Sequence, residues 1–174
     1  MEQLSSQVVY RNAWLTVRED AVRRADGSEG VYGVVDKPHY ALVIAAQEDR
    51  LHLVEQFRYP LGRRRWEFPQ GTAPGPAVPT ALELAHRELA EETGLRAAEL
   101  RHLGHLYEAY GFCSQGCDVY LATGLSSGRP AREESERDMR HRHVSEQEFQ
   151  QMVRSGEVVD GASLAAYALL RLLN

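Results

Sequence analysis

The first half of the chain alternates short apolar segments with polar turns. Four segments are rich in Val, Leu, Ile and Tyr, namely WLTVRED (14–20), GVYGVVD (30–36), YALVIAA (40–46) and LHLVEQF (51–57). β-branched and aromatic residues in runs of this length favour strands. Because the turns between them are short, we expect these strands to pair mainly antiparallel.

A helical pattern follows the Pro- and Gly-rich stretch 69–79. The apolar residues of TALELAHRELAEETGL recur at helical spacing,. Thr80 is placed to cap the amino end with Glu83 as its capping-box partner, and Gly94 follows the last turn as a left-handed stop. The sequence therefore predicts a helix over 81–93.

The second half returns to strands. The segments 101–111 and 117–124 favour extended structure, and a short extended piece ends near Val144,. A charged loop, 126–138, precedes that last piece.

Two helices are predicted to close the chain. A capping box from Ser145 to Glu148 predicts the helix 145–156, and the Leu- and Ala-rich segment 162–174 predicts a helix that is buried on all sides,. The chain has no internal repeat and no linker-like change of composition. We therefore expect one domain over 1–174, with one mixed sheet covered by helices.

Composition narrows the functional classes. The chain has 174 residues, 43% of them hydrophobic, and a formal net charge of -5, which suits a single soluble domain. No apolar run approaches the roughly 20 residues that span a bilayer, so no membrane partner is expected. The amino terminus lacks a basic segment followed by an apolar one, and two cysteines are too few for a disulfide scaffold, so we expect a cytoplasmic protein.

The charge balance also bears on partners. The pI is near 5.8, which provides no general field for holding a polyanion, so no nucleic-acid partner is expected. A substrate that carries phosphate must instead be met by a local site or by a cation.

Three carboxylates share one face of the predicted helix. Glu88 and Glu92 are four residues apart, and Glu91 is three beyond Glu88,. Their charges repel one another, and Arg87 can relieve only part of that repulsion. One interpretation is a solvated acidic face with structural ion pairs. The other is a site for Mg²⁺ or Mn²⁺, since these cations prefer carboxylate oxygens, water and substrate phosphates.

The segment RELAEETGL (87–95) resembles the core of the Nudix box, the motif of the Nudix hydrolases. It matches the pattern Arg-Glu-apolar-any-Glu-Glu-any-Gly-apolar without a mismatch. Gly71, in WEFPQG, is similar to the opening glycine of that box. The loop from Gly71 to Arg87 is two residues longer than is usual in the family, and strict counting places Pro79 where the family has a further Glu.

Other segments are similar to the branch of the family that hydrolyses ADP-ribose and nucleoside diphosphate sugars. They are EQFRYP (55–60), WEFPQG (66–71) and the tail 144–170. This resemblance implies an α/β/α sandwich with a mixed β-sheet and an amino-terminal strand-rich extension. It also implies a homodimer, with the strands of 1–38 taking part in dimerisation and contributing to the neighbour's site. The reaction implied is Mg²⁺- or Mn²⁺-dependent hydrolysis of a pyrophosphate bond, giving a nucleoside monophosphate and a sugar phosphate.

The resemblance also implies a set of metal ligands. Glu88 and Glu92 are the expected ligands, and Glu91 is expected either as a ligand or directly behind the ligands. A main-chain carbonyl near Gln70 or Gly71 would complete the protein's share. Arg87 is expected to orient Glu91 through an i,i+4 ion pair.

A general base and substrate contacts are implied as well. An acidic residue of the loop before the penultimate helix is expected to be the base, with Glu136 favoured, then Glu134, and Glu133 as a third candidate. Arg58, Glu67 and Arg65 are expected to bind substrate. The alternatives are a solvated acidic loop, an ion pair at a strand edge for Arg58 and Glu67, and a solvated turn for the basic triplet 63–65.

Two other functions compete with this hypothesis. WEFPQG is also similar to segments of dinucleoside polyphosphate and RNA 5′-end pyrophosphohydrolases. The longer loop and the missing box Glu suggest instead a nucleotide-binding module that has lost catalysis. The complete set of Glu88, Glu91 and Glu92 argues against that second alternative, because binding alone gains nothing from a repulsive cluster. A plain structural domain is the weakest reading.

Overall fold

The computed structural model describes residues 1–72, 79–132 and 134–173 and contains two β-sheets. The smaller sheet is antiparallel and consists of β1 (Glu2–Arg11), β2 (Thr16–Arg23) and β3 (Glu29–Asp36), in that order. These strands form the expected amino-terminal extension, but as a sheet of their own, so the expectation of one mixed sheet is wrong for them. Every residue of β1 is exposed, which explains why the apolar pattern gave no sign of this strand.

The larger sheet has seven strands. They are β4 (Tyr40–Gln47), β5 (Arg50–Arg58), β6 (Arg63–Glu67), β7 (Gln70–Gly71), β8 (Leu95–Tyr107), β9 (Gly116–Ser127) and β10 (Arg140–Ser145). The main path runs β10-β5-β4-β9-β8, with β6 paired to β5 and β7 paired to β4. β4 and β9 pair parallel and the other pairs are antiparallel, so this sheet is mixed, as expected.

Helices cover both faces of the larger sheet. They are α1 (Ala81–Thr93), α2 (Glu146–Ser155) and α3 (Gly161–Leu172). On one face α1 buries Leu89 in a cluster with Val43 of β4. On the other face Phe149 of α2 and Ala166 of α3 share a cluster with Ile44. Because neighbouring residues of a strand point to opposite faces, β4 packs between the helices as the central layer of a sandwich.

The ends of α1 agree with the sequence prediction. The hydroxyl of Thr80 accepts a hydrogen bond from the N–H of Glu83 at 3.2 Å, and the Glu83 carboxylate accepts one from the N–H of Thr80 at 2.8 Å. Gly94 ends the helix at a φ of 76°. The capping box predicted for α2, from Ser145 to Glu148, is also confirmed.

The alternative of a solvated turn for the basic triplet 63–65 is excluded, because these residues form most of β6 and pair with β5. Two local predictions are wrong. β8 begins at Leu95, directly after the helix stop and before the predicted 101. In α3 only Ala162, Ser163 and Ala166 are buried, because the carboxyl-terminal turn leaves the core and exposes Leu172.

Among the described residues, no helix has both the length and the apolarity needed to cross a membrane.

Candidate active site

Two carboxylates of α1 are turned into the protein. Glu88 is 6% exposed and Glu92 is fully buried. The main-chain N–H of Gln70 donates to Glu92 Oε2 at 3.1 Å. Glu92 Oε1 is buried and has no hydrogen-bond partner among the described residues. Burying a carboxylate oxygen without a partner costs free energy. A bound cation or a hydrogen-bond donor at this oxygen would offset that cost.

The main chain of β7 also packs against the carboxylate of Glu88. A Cβ atom at Gly71 would lie 2.2 Å from Glu88 Oε2, so a larger residue fits only if the carboxylate moves. Gln70 contacts Glu92 and Gly71 contacts Glu88. The structure therefore brings together four of the residues that the sequence proposed around a metal ion.

Burial raises the pKa values of both carboxylic acids. Removal from water raises the pKa of Glu88 to about 7, although the Arg87 guanidinium, which donates to Glu88 Oε1 at 3.2 Å, lowers it in part. Burial also raises the pKa of Glu92 well above its ordinary value, and the charges of Glu136 and Glu88 raise it further. A nearby cation has the opposite effect, because it favours the ionised form.

Arg87 stands between two of the three acidic residues of the motif. Its Nε lies 3.7 Å from Glu91 Oε2, so the predicted i,i+4 ion pair is confirmed as a contact. Arg87 also donates to Glu88, as described above. The side chain of Glu91 is 30% exposed, which places it at the rim of the cluster and not among the buried carboxylates.

The candidate general bases separate in the structure. Glu136 is half-buried, and its charge raises the pKa values of both Glu88 and Glu92. The side chain of Glu134 is 87% exposed and lies 3.6 Å from Arg137. Glu133 lies outside the described residues. Of the two described candidates, the fold brings Glu136 to the acidic cluster and leaves Glu134 in solvent.

An open cavity of about 470 Å³ is lined in part by Gln70 and Gly71, the two residues that contact Glu92 and Glu88. Its volume falls within the range of about 300–1,000 Å³ that is usual for small-molecule sites. Arg58, Glu67 and Arg65 also form part of its wall. The three residues predicted to bind substrate thus line one cavity next to the acidic cluster.

Arg58 and Glu67 form an ion pair in the cavity wall. Glu67 is 1% exposed, and its carboxylate accepts hydrogen bonds from Arg58 Nε at 3.1 Å and from Gln56 Nε2 at 2.8 Å. Arg58 Nη2 makes a further, short contact to the same carboxylate. Because these partners occupy the oxygens of Glu67, its main effect in the structure is to fix Arg58, whose side chain is 39% exposed.

Arg65 lies beside this pair with part of its guanidinium engaged. Its Nη1 donates to the carbonyl of Arg64 at 2.8 Å. The guanidinium therefore has a fixed main-chain contact, and its Nε is buried without a partner among the described residues.

Three further charged residues line the cavity and were missed by the sequence reasoning. They are Lys37, Glu108 and Asp160. Asp160 carried a readable signal, because an Asp directly before an apolar helix is a typical N-cap. Lys37 and Glu108 follow the ends of β3 and β8, and nothing in a single sequence shows that these two connections meet.

The residues present fit a divalent cation, although they do not form a complete shell. Within 1–72, 79–132 and 134–173, no three His, Cys, Asp or Glu side chains have the arrangement of a metal-binding group. Two buried carboxylates, one of them with an unpartnered oxygen, are nevertheless the hard oxygen donors that Mg²⁺ and Mn²⁺ prefer,. Mg²⁺ usually keeps several waters and binds one or two carboxylates together with substrate phosphates, so it does not need a closed protein shell.

Two family models match consecutive parts of the chain. The model described as "Nucleoside diphosphate sugar hydrolase N-terminal domain" matches residues 1–35, and the model described as "NUDIX domain" matches residues 36–163. The first covers the smaller sheet and the second covers the larger sheet, the cavity and the acidic helix.

Curated relatives extend over nearly the whole chain. A protein of Mycobacterium tuberculosis named "ADP-ribose pyrophosphatase" is 36% identical over 94% of this chain and 80% of its own length. A protein of Bacillus subtilis with the same name is 28% identical over 97% of this chain and 91% of its own length.

A solved structure supports the fold. It is titled "Crystal structure of ADP compounds hydrolase" and superposes with a TM-score of 0.85 over 99% of this chain and 94% of that chain. Its sequence identity is 20%, so the likeness concerns the arrangement of the sheets and helices.

Proposed function

The chain belongs to the NUDIX domain family, and on that premise we propose that it is a pyrophosphatase acting on ADP-ribose or a related nucleoside diphosphate sugar. Enzymes of this family generally use divalent metals. For this chain we propose Mg²⁺ or Mn²⁺. Water would attack one phosphorus atom of the diphosphate, and the products would be a nucleoside monophosphate and a sugar phosphate.

The observation that carries this proposal is the pair of buried carboxylates beside the cavity. Glu88 and Glu92 lie against the main chain of Gln70 and Gly71, and Glu92 Oε1 has no partner among the described residues. When bound, a divalent cation would neutralise the diphosphate and polarise its phosphoryl oxygen. Glu88 and Glu92 would hold it, with Glu91 at the rim and a main-chain carbonyl of Gln70 or Gly71 as a further donor.

The remaining residues have separate roles. Glu136 is the proposed general base: it takes the proton of the attacking water while the new P–O bond forms and the bond to the leaving phosphate breaks. Glu134 is the second candidate for this role. Arg87 holds Glu88 and Glu91 in place. Arg58, fixed by Glu67, and Arg65 donate to the phosphate oxygens of the substrate.

A substrate panel tests the proposal. Purified protein is incubated with Mg²⁺ or Mn²⁺ and with ADP-ribose, ADP-glucose or another nucleoside diphosphate sugar, and the products are separated by chromatography. We expect AMP and ribose 5-phosphate from ADP-ribose. Glu92→Gln should reduce kcat by at least about 100-fold, because a cation's charge stabilisation of several kcal/mol is lost. Turnover that Glu92→Gln does not change would contradict the mechanism.

A panel widened by diadenosine tetraphosphate and by RNA with a 5′ triphosphate or cap separates the alternatives. A dinucleoside polyphosphate pyrophosphohydrolase would release AMP and ATP from diadenosine tetraphosphate, and an RNA 5′-end enzyme would act on triphosphorylated or capped RNA. A non-catalytic module would bind ADP-ribose in calorimetry without hydrolysis at any divalent metal. The proposed function expects ADP-ribose or a related nucleoside diphosphate sugar to have the highest kcat/KM of this wider panel.

We also propose a homodimer formed through the smaller sheet. This sheet leaves apolar side chains in solvent, among them Val31 at 67%, Tyr10 at 55% and Val9 at 50% exposed. Apolar exposure of this kind on one element is typical of an interface. The chain is proposed to act in the cytoplasm, which suits the two free cysteines, Cys113 and Cys117,.

A further inference from the structure

The segment 67–71 presents main-chain groups to both buried carboxylates of α1. The N–H of Gln70 donates to Glu92 Oε2 at 3.1 Å. The main chain of Gly71 approaches Glu88 so closely that a Cβ there would lie 2.2 Å from Oε2. The geometry of the carboxylate pair therefore depends on where this segment lies.

Strand pairing alone holds the segment weakly. β7 contains only Gln70 and Gly71, and Pro69 has no N–H with which to join a ladder. The N–H of Val43 in β4 donates to the carbonyl of Pro69 at 2.9 Å. The N–H of Phe68 is directed away from the sheet partners and donates to Ser163 Oγ of α3 at 2.9 Å.

The first turn of α3 contacts the segment twice. Asp160 Oδ2 accepts from the N–H of Ser163 at 2.8 Å, which caps the helix, and from Gln70 Nε2 at 3.1 Å. Ser163 then accepts from Phe68. The amino-terminal turn of α3 thus contacts the segment on both sides of Pro69, at Phe68 and at Gln70.

Ser163 acts without touching a ligand. It is fully buried and does not line the cavity. Its hydroxyl is the acceptor for the buried N–H of Phe68, and removing it leaves that N–H without this partner.

We propose that Ser163 is a positioning residue that sets the 67–71 segment, and through it Glu88 and Glu92, in the arrangement that binds the cation; this rests on the proposed function. Residues that orient metal ligands from behind typically change metal affinity by about 10–100-fold when mutated. Ser163 does not contact the proposed ligands Glu88 and Glu92 in this way. It contacts the main chain of Phe68, in the segment that lies against them.

The test measures metal binding without substrate. Metal-free wild-type protein and Ser163→Ala are titrated with Mn²⁺, and free Mn²⁺ is followed by electron paramagnetic resonance. We expect Ser163→Ala to weaken Mn²⁺ binding by about tenfold. The control is Ser145→Ala, which also removes a serine that accepts from a main-chain N–H, that of Glu148 at 3.2 Å. This control should bind Mn²⁺ as wild type does.

Hydrogen exchange gives a readout that needs no metal. Ser163→Ala should speed exchange in a peptide that covers 67–71 and leave the start of α2 unchanged, whereas Ser145→Ala should do the reverse. If both the Mn²⁺ affinity and the exchange of 67–71 are unchanged in folded Ser163→Ala, the inference is wrong.

A second pair of variants applies if Ser163→Ala does not fold. Asp160→Asn retains a carbonyl oxygen that can accept both N–H groups, and Asp160→Ala retains none. We expect Asp160→Ala to weaken Mn²⁺ binding more than Asp160→Asn does, and equal losses would overturn the positioning role. Failure of the proposed function is distinct, because wild type would then show neither Mn²⁺ binding nor turnover on the substrate panel.

Discussion

Single buried groups give this protein opposite responses to acid and base. Glu88 is a buried acid whose raised pKa favours its neutral form in the folded, metal-free protein. His52 is a buried base whose lowered pKa also favours its neutral form. Because the first ionises by losing a proton and the second by gaining one, the fold loses stability from Glu88 as pH rises and from His52 as pH falls.

Glu88→Gln is expected to retain part of the stability that the metal-free protein loses as pH rises. The folded pKa of Glu88 is raised from 4.5 to about 7, so stability present below its ordinary pKa declines as pH rises toward the folded value. Between about pH 5 and about pH 8 this group should cost the metal-free protein about 2–3 kcal/mol. Urea denaturation in the presence of a chelator measures the loss. Exposed Glu99→Gln is the control, and an unchanged loss in Glu88→Gln would contradict the prediction.

His52→Gln is expected to protect the fold in acid. Burial, together with the charges of His141 and His143, lowers the pKa of His52 from 6.5 to about 4. The unfolded chain therefore takes up a proton that the folded chain does not, and stability falls as pH drops below about 6.5. At about pH 5 the loss should be about 1–2 kcal/mol. Denaturation at neutral pH and at about pH 5 measures it. The matched variant is exposed His86→Gln, which should lose as much as wild type.

At the scale of elements, α1 is the helix whose ends and functional residues are most directly predicted by its own sequence. Its capping box, its glycine stop and its three motif carboxylates all lie within one continuous segment, so local rules place them together. Gly94 has a second constraint that those rules do not show. A Cβ there would lie 2.8 Å from the carbonyl oxygen of Gly128, which means that the end of α1 packs against the carboxyl end of β9.

Gly94→Ala is expected to cost more stability than Gly156→Ala. Both glycines end a helix at a φ of 76°, so both substitutions incur the left-handed penalty of about 1–2 kcal/mol. A Cβ at Gly156 has no atom within 4 Å, whereas at Gly94 the clash should add about 1–3 kcal/mol. Thermal and urea denaturation of the two variants compare them. Equal losses would show that the main chain at Gly128 moves away freely.

The predictable elements are those whose residues are neighbours in sequence. The bounds of α1 and the caps of α1 and α2 followed from the residues around Thr80, Gly94 and Ser145. β1 was not predicted because all its residues are exposed, and β6 was not predicted because its charged residues give no sign of the pairing with β5. Local pattern cannot show either effect.

The candidate site was predictable to the same extent. The positions of Glu88, Glu91 and Glu92 follow from helix geometry, and their closeness to Gly71 was anticipated from the motif. The contact of Ser163 with Phe68 joins residues that are 95 positions apart in the chain. The burial of Glu67 by Arg58 likewise depends on how β5 and β6 pair, and spacing in the sequence contains neither fact.

On the scale of the whole molecule, the two sheets differ in how far their apolar side chains are exposed to solvent. The larger sheet is covered on both faces, while the smaller one leaves Val31 and Tyr10 in solvent. In the paired strands Val31 lies opposite Ala21, so a charge placed there would face an apolar neighbour. The smaller sheet is therefore the surface on which the proposed dimer can be tested.

Val31→Glu is expected to weaken the proposed dimer. A buried charge without a partner at the interface should raise the dissociation constant by at least about tenfold, which corresponds to about 1.4 kcal/mol. Light scattering coupled to size exclusion, over a range of concentrations, measures the mass. Leu172→Glu, at a residue that is 81% exposed at the end of α3, is the control. A wild-type protein that remains monomeric at high concentration would contradict the dimer itself.

Lys37, in the wall of the cavity, is the only lysine of the chain. An acylating dye selective for primary amines therefore has one side-chain target, besides the amino group of Met1. A fluorophore attached to Lys37 would report directly on whatever enters the cavity, and protection of Lys37 from acylation by added nucleotides would rank candidate substrates even for a variant that turns none of them over.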